Sequence, residues 1–199
     1  MLMARPKEFD PQTALVAAME LFRRQGYEAT SIQDLVDALG INRSSMYAAY
    51  GSKHDLYLKA LDLYCAVEAD RAQESLAESD EGPALPVLRT FLLSYVESAL
   101  ADPLRGGCMV THGVLERLPG DAKAAERLGG ALGSLEEAFA YLLLRARVAG
   151  ELAPGTDVRT TARLLVTLTQ GLRVMERAAD RDYLTQVVDQ ALKGLSCTG

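Results

Sequence analysis

Cysteine is scarce in this sequence: Cys65, Cys108 and Cys197 lie far apart, odd in number and without a CxxC pair. That pattern argues against a disulfide framework and a structural zinc site. No phosphate loop and no metal motif occurs, so no metal, cofactor or catalytic set is expected. Long apolar runs are missing too: none approaches the ~18 residues that cross a bilayer. The opening "MLMARPKEFD" has no apolar signal core, and a cytoplasmic protein without membrane contact is the expectation. Strand signals are absent, since no window alternates apolar and polar over several β-branched residues. Nor is there a basic excess. The 21 Lys and Arg face 27 Asp and Glu, a net charge of −6, which is a poor balance for a nucleic-acid binder.

The distribution of charge matters more than its sum. Residues 1–59 hold seven cations and seven carboxylates, so the whole acidic surplus falls in residues 60–199. A neutral head before an acidic body still permits phosphate contact at the head, provided its few cations are well placed. At 199 residues, 49% hydrophobic and 24% charged, the chain can bury a core as one compact domain or two small ones.

Nearly every segment has helical period. Asp10 as N-cap with Pro11 at the first helical position opens a helix that buries Ala14, Ala18, Leu21 and Phe22 and stops at Gly26. "TSIQDLVDALG" follows, capped by Thr30 or Ser31 with a polar partner three residues on, Gln33 or Asp34. Its inward residues are Ile32, Leu35, Val36 and Leu39, and Gly40 ends it. Asn42 caps a third helix from Arg43 to about Tyr50, and Ser52 with Asp55 launches a long fourth. Further helices are expected near residues 84–101, 107–118, 121–149, 157–178 and 182–195, separated by Pro, Gly and Asp. The expectation is an all-α chain of about nine helices.

Two short helices joined by a Gly-containing turn of about four residues form a helix-turn-helix. The second helix enters the major groove with its first residues at base edges. Arg43 can donate two bonds to guanine, Ser44 and Ser45 can bond to any base, and Met46 anchors the helix. Tyr47 can cover a thymine methyl or reach a phosphate. Thr30 and Ser31 suit a phosphate at a helix N-terminus, and Lys53 offers a cation to the backbone. With Gln33 and the cap Asn42, these nine residues are the expected DNA contacts. A merely solvated surface helix is the alternative.

The same residues carry a family resemblance. "ALVAAMELFRRQGYEATSIQDLVDALGINRSSMYAAYGSKHDLYLKAL" resembles, without a gap, the N-terminal domain of the tetracycline-repressor (TetR) family of bacterial regulators. Leu21-Phe22, Gly26-Tyr27, Thr30, Ile32, Ala38, Gly40, Tyr47, Gly51-Ser52-Lys53 and Leu56 carry the match. The family's commonest form has aromatic or histidine residues where Ala48 and Ala49 stand, and Phe at Tyr50, so some phosphate contacts are expected to be lost. The resemblance implies a three-helix DNA-binding head, here residues 8–51, and a helical body that binds a small-molecule effector and dimerises, here residues 52–197. It also implies a four-helix bundle made by the last two helices of each subunit. A recognition helix this short reads only a few base pairs, so a homodimer on palindromic, double-stranded operator DNA is expected, and a repressor released by its effector is the leading reading.

From the chain's own pattern, Leu165, Leu168, Leu172, Val188 and Leu192 are the expected dimer contacts, the alternative being that they pack within one subunit. "RGGCMVTHGVLERLPGD" puts Cys108, His112 and Glu116 on one helix face if the helix begins near Gly107. A charged His112 would stabilise a Cys108 thiolate, as an electrophile sensor needs. A small buried thiol is the plainer alternative. With Tyr64, Phe91 and Tyr95, these three are the candidate effector-pocket residues. A helical enzyme using Cys108 and His112, and a dimeric module that has lost DNA binding, are the other functions the sequence leaves open.

Overall fold

A computed structural model describes residues 10–77, 82–102, 106–118 and 120–197. Among them are nine helices: α1 (Pro11–Gln25), α2 (Ile32–Leu39), α3 (Arg43–Tyr50), α4 (Lys53–Ala77), α5 (Ala84–Ala101), α6 (Met109–Arg117), α7 (Ala122–Val148), α8 (Val158–Met175) and α9 (Arg181–Lys193). The described residues form no strand, only one isolated bridge between Leu152 and Ser196. The first residues of the expected head, 8 and 9, lie outside the described residues.

Local chemistry fixes the helix ends as the sequence implies. Asp10 accepts from the Gln12 and Thr13 N–H groups, and Pro11 follows it. Ser31 and Asp34 form a reciprocal capping box, and Gly40 closes α2 in the left-handed region. Asn42 accepts from the Ser45 N–H, and Ser52 pairs with Asp55. α6 begins two residues later than expected, so Cys108 is its N-cap residue.

Two apolar cores result. One gathers Ala18, Phe22, Leu35, Met46, Leu56, Leu61 and Tyr64 of α1–α4 with Cys108, Met109 and Leu128 of α6 and α7. The other joins α5, α7, α8 and α9 through Leu88, Phe91, Leu92, Phe139, Leu143, Leu165, Leu172 and Val188. α4 runs from the head into the body, so the two parts share packing rather than meeting at a linker. By length and composition Ala84–Ala101 is apolar enough to cross a membrane, although no such run was expected from the sequence. In the fold it is the central helix of the second core, with Leu88, Phe91, Leu92 and Val96 buried.

The expected dimer contacts need correction. Leu165, Leu172, Val188 and Leu192 are 1%, 3%, 0% and 7% exposed within the single chain, packed against α5 and α7. Only Leu168 is half-buried. The outward stripe of α8 is instead Leu164, Leu168, Gly171 and Met175, at i, i+4, i+7 and i+11. Beside it, Leu168 borders a surface groove with Tyr183, Val187 and Ala191 of α9. α8 is apolar on two sides, and the inner side belongs to its own subunit.

Val188→Asp is therefore expected to unfold the subunit rather than split a dimer. An uncompensated charge there costs on the order of 3–5 kcal/mol. Thermal melts followed by circular dichroism test it; a variant that melts like wild type would show that Val188 is not core.

Candidate nucleic-acid interface and body cavity

α3 is held from inside and presented outside. Met46 and Tyr50 are 1% and 7% exposed, and the Tyr50 hydroxyl donates to the Pro11 carbonyl at 2.7 Å. Arg43, Ser44, Tyr47, Ala48 and Ala49 are exposed, and Ser45 is half-buried. The outer surface is thus one long cation, one phenol and small side chains. Asn42 is committed to its cap: Oδ1 accepts from the Ser45 N–H at 2.8 Å and from the Ser44 hydroxyl at 2.6 Å. Gln33 is exposed on α2, donating to Asp37 at 2.8 Å, and Ser31 caps that helix.

Two of the nine expected contacts sit differently. Thr30 is 0% exposed, with its hydroxyl donating to the Gly26 carbonyl at 2.6 Å. Its side chain ties down the turn and cannot reach a phosphate. Lys53 is half-buried, with its ammonium 4.2 Å from the Tyr27 ring centre. Burial lowers its pKa, opposed by Glu28 and Glu116. It leans on the head rather than reaching freely from it.

The junction of head and body is a set of polar contacts that sequence inspection missed. Glu116 Oε2 accepts from the Tyr27 and Glu28 N–H groups at 2.6 and 3.1 Å. Arg117 lies 4.3 Å over the Tyr27 ring and bonds Glu28 at 2.8 Å and Asp121 at 3.0 Å. Asp121, the N-cap of α7, also meets His54 Nε2 of α4 at 2.7 Å. Burial would raise the Asp121 pKa, but bonds from the Ala124 N–H, His54 and Arg117 outweigh it and hold it at about 2. Arg23 bonds Asp102 at 2.7 Å and the Gly107 carbonyl at 3.3 Å. All of these pairs except Arg117–Asp121 and the Asp121–Ala124 cap join residues distant in sequence, so no spacing rule announces them.

In the body, a cavity of about 490 Å³ lies among α4, α7 and α8, with Tyr95 of α5 and Cys108 and Val110 of α6 in its wall. Of the candidate pocket residues, Tyr64, Tyr95 and Cys108 line it. Phe91, His112 and Glu116 do not: Phe91 packs edge-on behind Tyr95 and Phe139. His112 turns towards Glu116, 3.7 Å away, and Arg177, 3.5 Å away. Burial and then Arg177 lower the His112 pKa, the opposite of what supporting a Cys108 thiolate requires.

The cavity's charged floor was also missed. Arg173 is 7% exposed, bonds Glu68 at 2.6 Å and lies 4.5 Å over the Tyr95 ring. Burial opposes its charge, but the Glu68 carboxylate beside it helps keep it protonated. Gln170 accepts from the Thr111 hydroxyl at 2.9 Å, leaving its amide N–H groups as donors beside Arg173. Burial raises the Tyr64 and Tyr95 pKa values, the latter to about 12, so both phenols are neutral. The arrangement suits a small apolar molecule with one polar end. Among the described residues, no group of three His, Cys, Asp or Glu is placed to hold a metal ion.

Comparison with known proteins gives matches along most of the chain. Residues 14–60 match bacterial regulatory proteins of the tetR family, and residues 84–192 match the tetracyclin repressor-like C-terminal domain. An uncharacterized HTH-type transcriptional regulator, YezE of Bacillus subtilis (strain 168), is 37% identical over 97% of this chain and 100% of its own. The HTH-type transcriptional repressor ComR of Escherichia coli (strain K12) is 28% identical over 95% and 90%. Among solved structures, a cysteine mutant of the regulator CifR complexed with 26-bp double-strand operator DNA superposes with a TM-score of 0.83. It is 30% identical, over 96% of this chain and 100% of that one.

The Asp121 contacts generate a pH-dependent expectation. Because its folded pKa is depressed, its stabilisation is complete above the ordinary carboxylate pKa of 3.8 and is lost as pH falls through about 2. Asp121→Asn should therefore lower the melting temperature at neutral pH, by the loss of about 1–3 kcal/mol of charge-assisted bonding. The gap to wild type should close between pH 4 and pH 2. A gap that persists at pH 2 would assign the effect to packing.

Proposed function

The chain belongs to the TetR family of bacterial regulators, and from that premise we propose a homodimeric, effector-released repressor of palindromic operator DNA. Its activity as a DNA-binding transcriptional regulator follows from the family. The observation that carries the contact assignment is the outer face of α3, an exposed Arg43–Ser44–Tyr47 surface on a helix pinned by Met46 and Tyr50. In it Arg43 and Ser45 read bases, Tyr47 covers a thymine methyl or bonds a phosphate, and the Ser31 end of α2 faces backbone. Gln33 reaches the groove edge, while Asn42 and Ser44 shape the start of α3.

The effector occupies the cavity floored by Arg173, Tyr64, Tyr95 and Cys108. Dimerisation uses the outward stripe of α8 and α9, whose Leu164 and Tyr183 are 58% and 52% exposed in the isolated subunit. One short recognition helix reads only a few base pairs, so twofold symmetry on a palindrome supplies the missing specificity. A helical enzyme using Cys108 and His112 has less support, because those side chains face different surroundings.

Selection of bound DNA from a random pool tests the central claim, with a palindrome as the expected product; failure to bind any DNA at low salt would favour an interaction module. Arg43→Ala should then lose discrimination at one base pair of each half-site, roughly 1–3 kcal/mol per half-site. Equal weakening on random DNA would reassign Arg43 to phosphate. Leu164→Asp should sediment as a folded monomer at micromolar concentration, since the residue is exposed within the subunit and covered only in the dimer. A Leu164→Asp dimer as tight as wild type would remove this face from the interface.

A further inference from the structure

Gly26 ends α1 with φ of 79°, and residues 27–30 then lead to the Ser31 cap of α2. The N–H groups of Tyr27 and Glu28 are both taken by one oxygen of Glu116, from α6 in the body. The fit is close: a Cβ at position 26 would lie 2.0 Å from Glu116 Oε1, so the carboxylate sits in the notch that glycine leaves. Arg117 braces the same turn through the Tyr27 ring and Glu28. At its other end α6 starts from Cys108 and Val110 in the cavity wall. Gly113 lets the helix sit low between them, since a Cβ there would lie 2.9 Å from both the Tyr57 hydroxyl and Leu128.

We propose that Glu116 is a positioning residue for DNA recognition: its carboxylate sets the orientation of the turn at residues 26–31, and with it α2 and α3, relative to the body. The inference rests on the DNA-binding reading above. Two charge-assisted bonds to backbone hold a turn more stiffly than side-chain contacts do, and α6 is short enough to move as a rigid rod. In a dimer the orientation of each head fixes the half-site separation the pair accepts.

The test uses the palindrome recovered by selection, remade with one base pair added to or removed from its centre. Each step moves a half-site by about 3.4 Å and turns it by about 34°. Wild type should prefer the original spacing. Glu116→Ala should lose roughly tenfold of that preference while keeping its dimer and its affinity for random DNA. Glu116→Gln, which keeps an acceptor oxygen in place, should recover most of the preference. Amide exchange at Tyr27 and Glu28 should accelerate in Glu116→Ala and much less in Glu116→Gln. Should the alanine variant fold poorly, Glu116→Asp, too short to reach both N–H groups, should show the same loss. Undiminished spacing preference in Glu116→Ala or Glu116→Asp overturns the proposal, as does unchanged exchange at the two amides. A wild type that binds no palindrome at all overturns the DNA-binding reading first, and the positioning role with it.

Discussion

The turn between α1 and α2 does not satisfy its own backbone. Gly26 stops α1 by leaving the helical region, and α2 cannot supply acceptors to residues that precede its cap. Buried or half-buried N–H groups left unpaired are expensive, and here a carboxylate 89 residues further along supplies the acceptor. Much of the architecture follows from that requirement. α6 must run close beneath the head, Gly113 must be small, and α7 must begin where Asp121 can hold Arg117 beside Tyr27. The head is therefore completed by the body rather than attached to it. The shared core points the same way, since Met109 and Leu128 are 0% exposed among head residues.

Features decided within one turn of chain were legible in the sequence. Caps at Asp10, Ser31 and Asn42, the stops at Gly26 and Gly40, and the limits of α5 follow from hydrogen bonding and φ preferences spanning a few residues. The pairing of His112 with Glu116 was legible for the same reason. Its direction was not. Whether that helix face meets the cavity or the head depends on how α6 lies on α4 and α7, which periodicity does not encode. Thr30 illustrates the same limit: a threonine before a helix is an ordinary cap candidate, but here it is buried on the Gly26 carbonyl and Ser31 takes the cap. The Arg173–Glu68 pair joins residues 105 apart, beyond any local signal.

The last two helices show a subtler ambiguity. An apolar stripe announces burial but not by whom. On α8 the strongest stripe, through Ala162, Leu165, Thr169 and Leu172, is covered by the subunit's own α5 and α7. The weaker one, Leu164, Leu168, Gly171 and Met175, stays at the surface. This order is physically sensible. The inner stripe must hold the subunit together, whereas the outer row, with Gly171 in it, carries less apolar surface. A pattern ranked by hydrophobicity alone selects the inner face first.

The near-neutral head has a consequence for affinity. Most of the described cations of residues 10–59 are already engaged: Arg23 with Glu20 and Asp102, Arg24 with Glu20, Lys53 with the Tyr27 ring and Lys59 with the Tyr50 ring. Arg43 is the one cation among the described head residues with neither a carboxylate nor a ring partner. Counterion release scales with the number of phosphates neutralised, so such a head gains little non-specific affinity from charge. In the proposed mode of binding, affinity comes instead from hydrogen bonds made by helix ends and short side chains, which demand accurate placement rather than mere proximity. Weak electrostatics and a firmly held head are then two sides of one design. A protein with a broad basic face can tolerate a loosely jointed head, but one that relies on few directional contacts needs its turn clamped to the body.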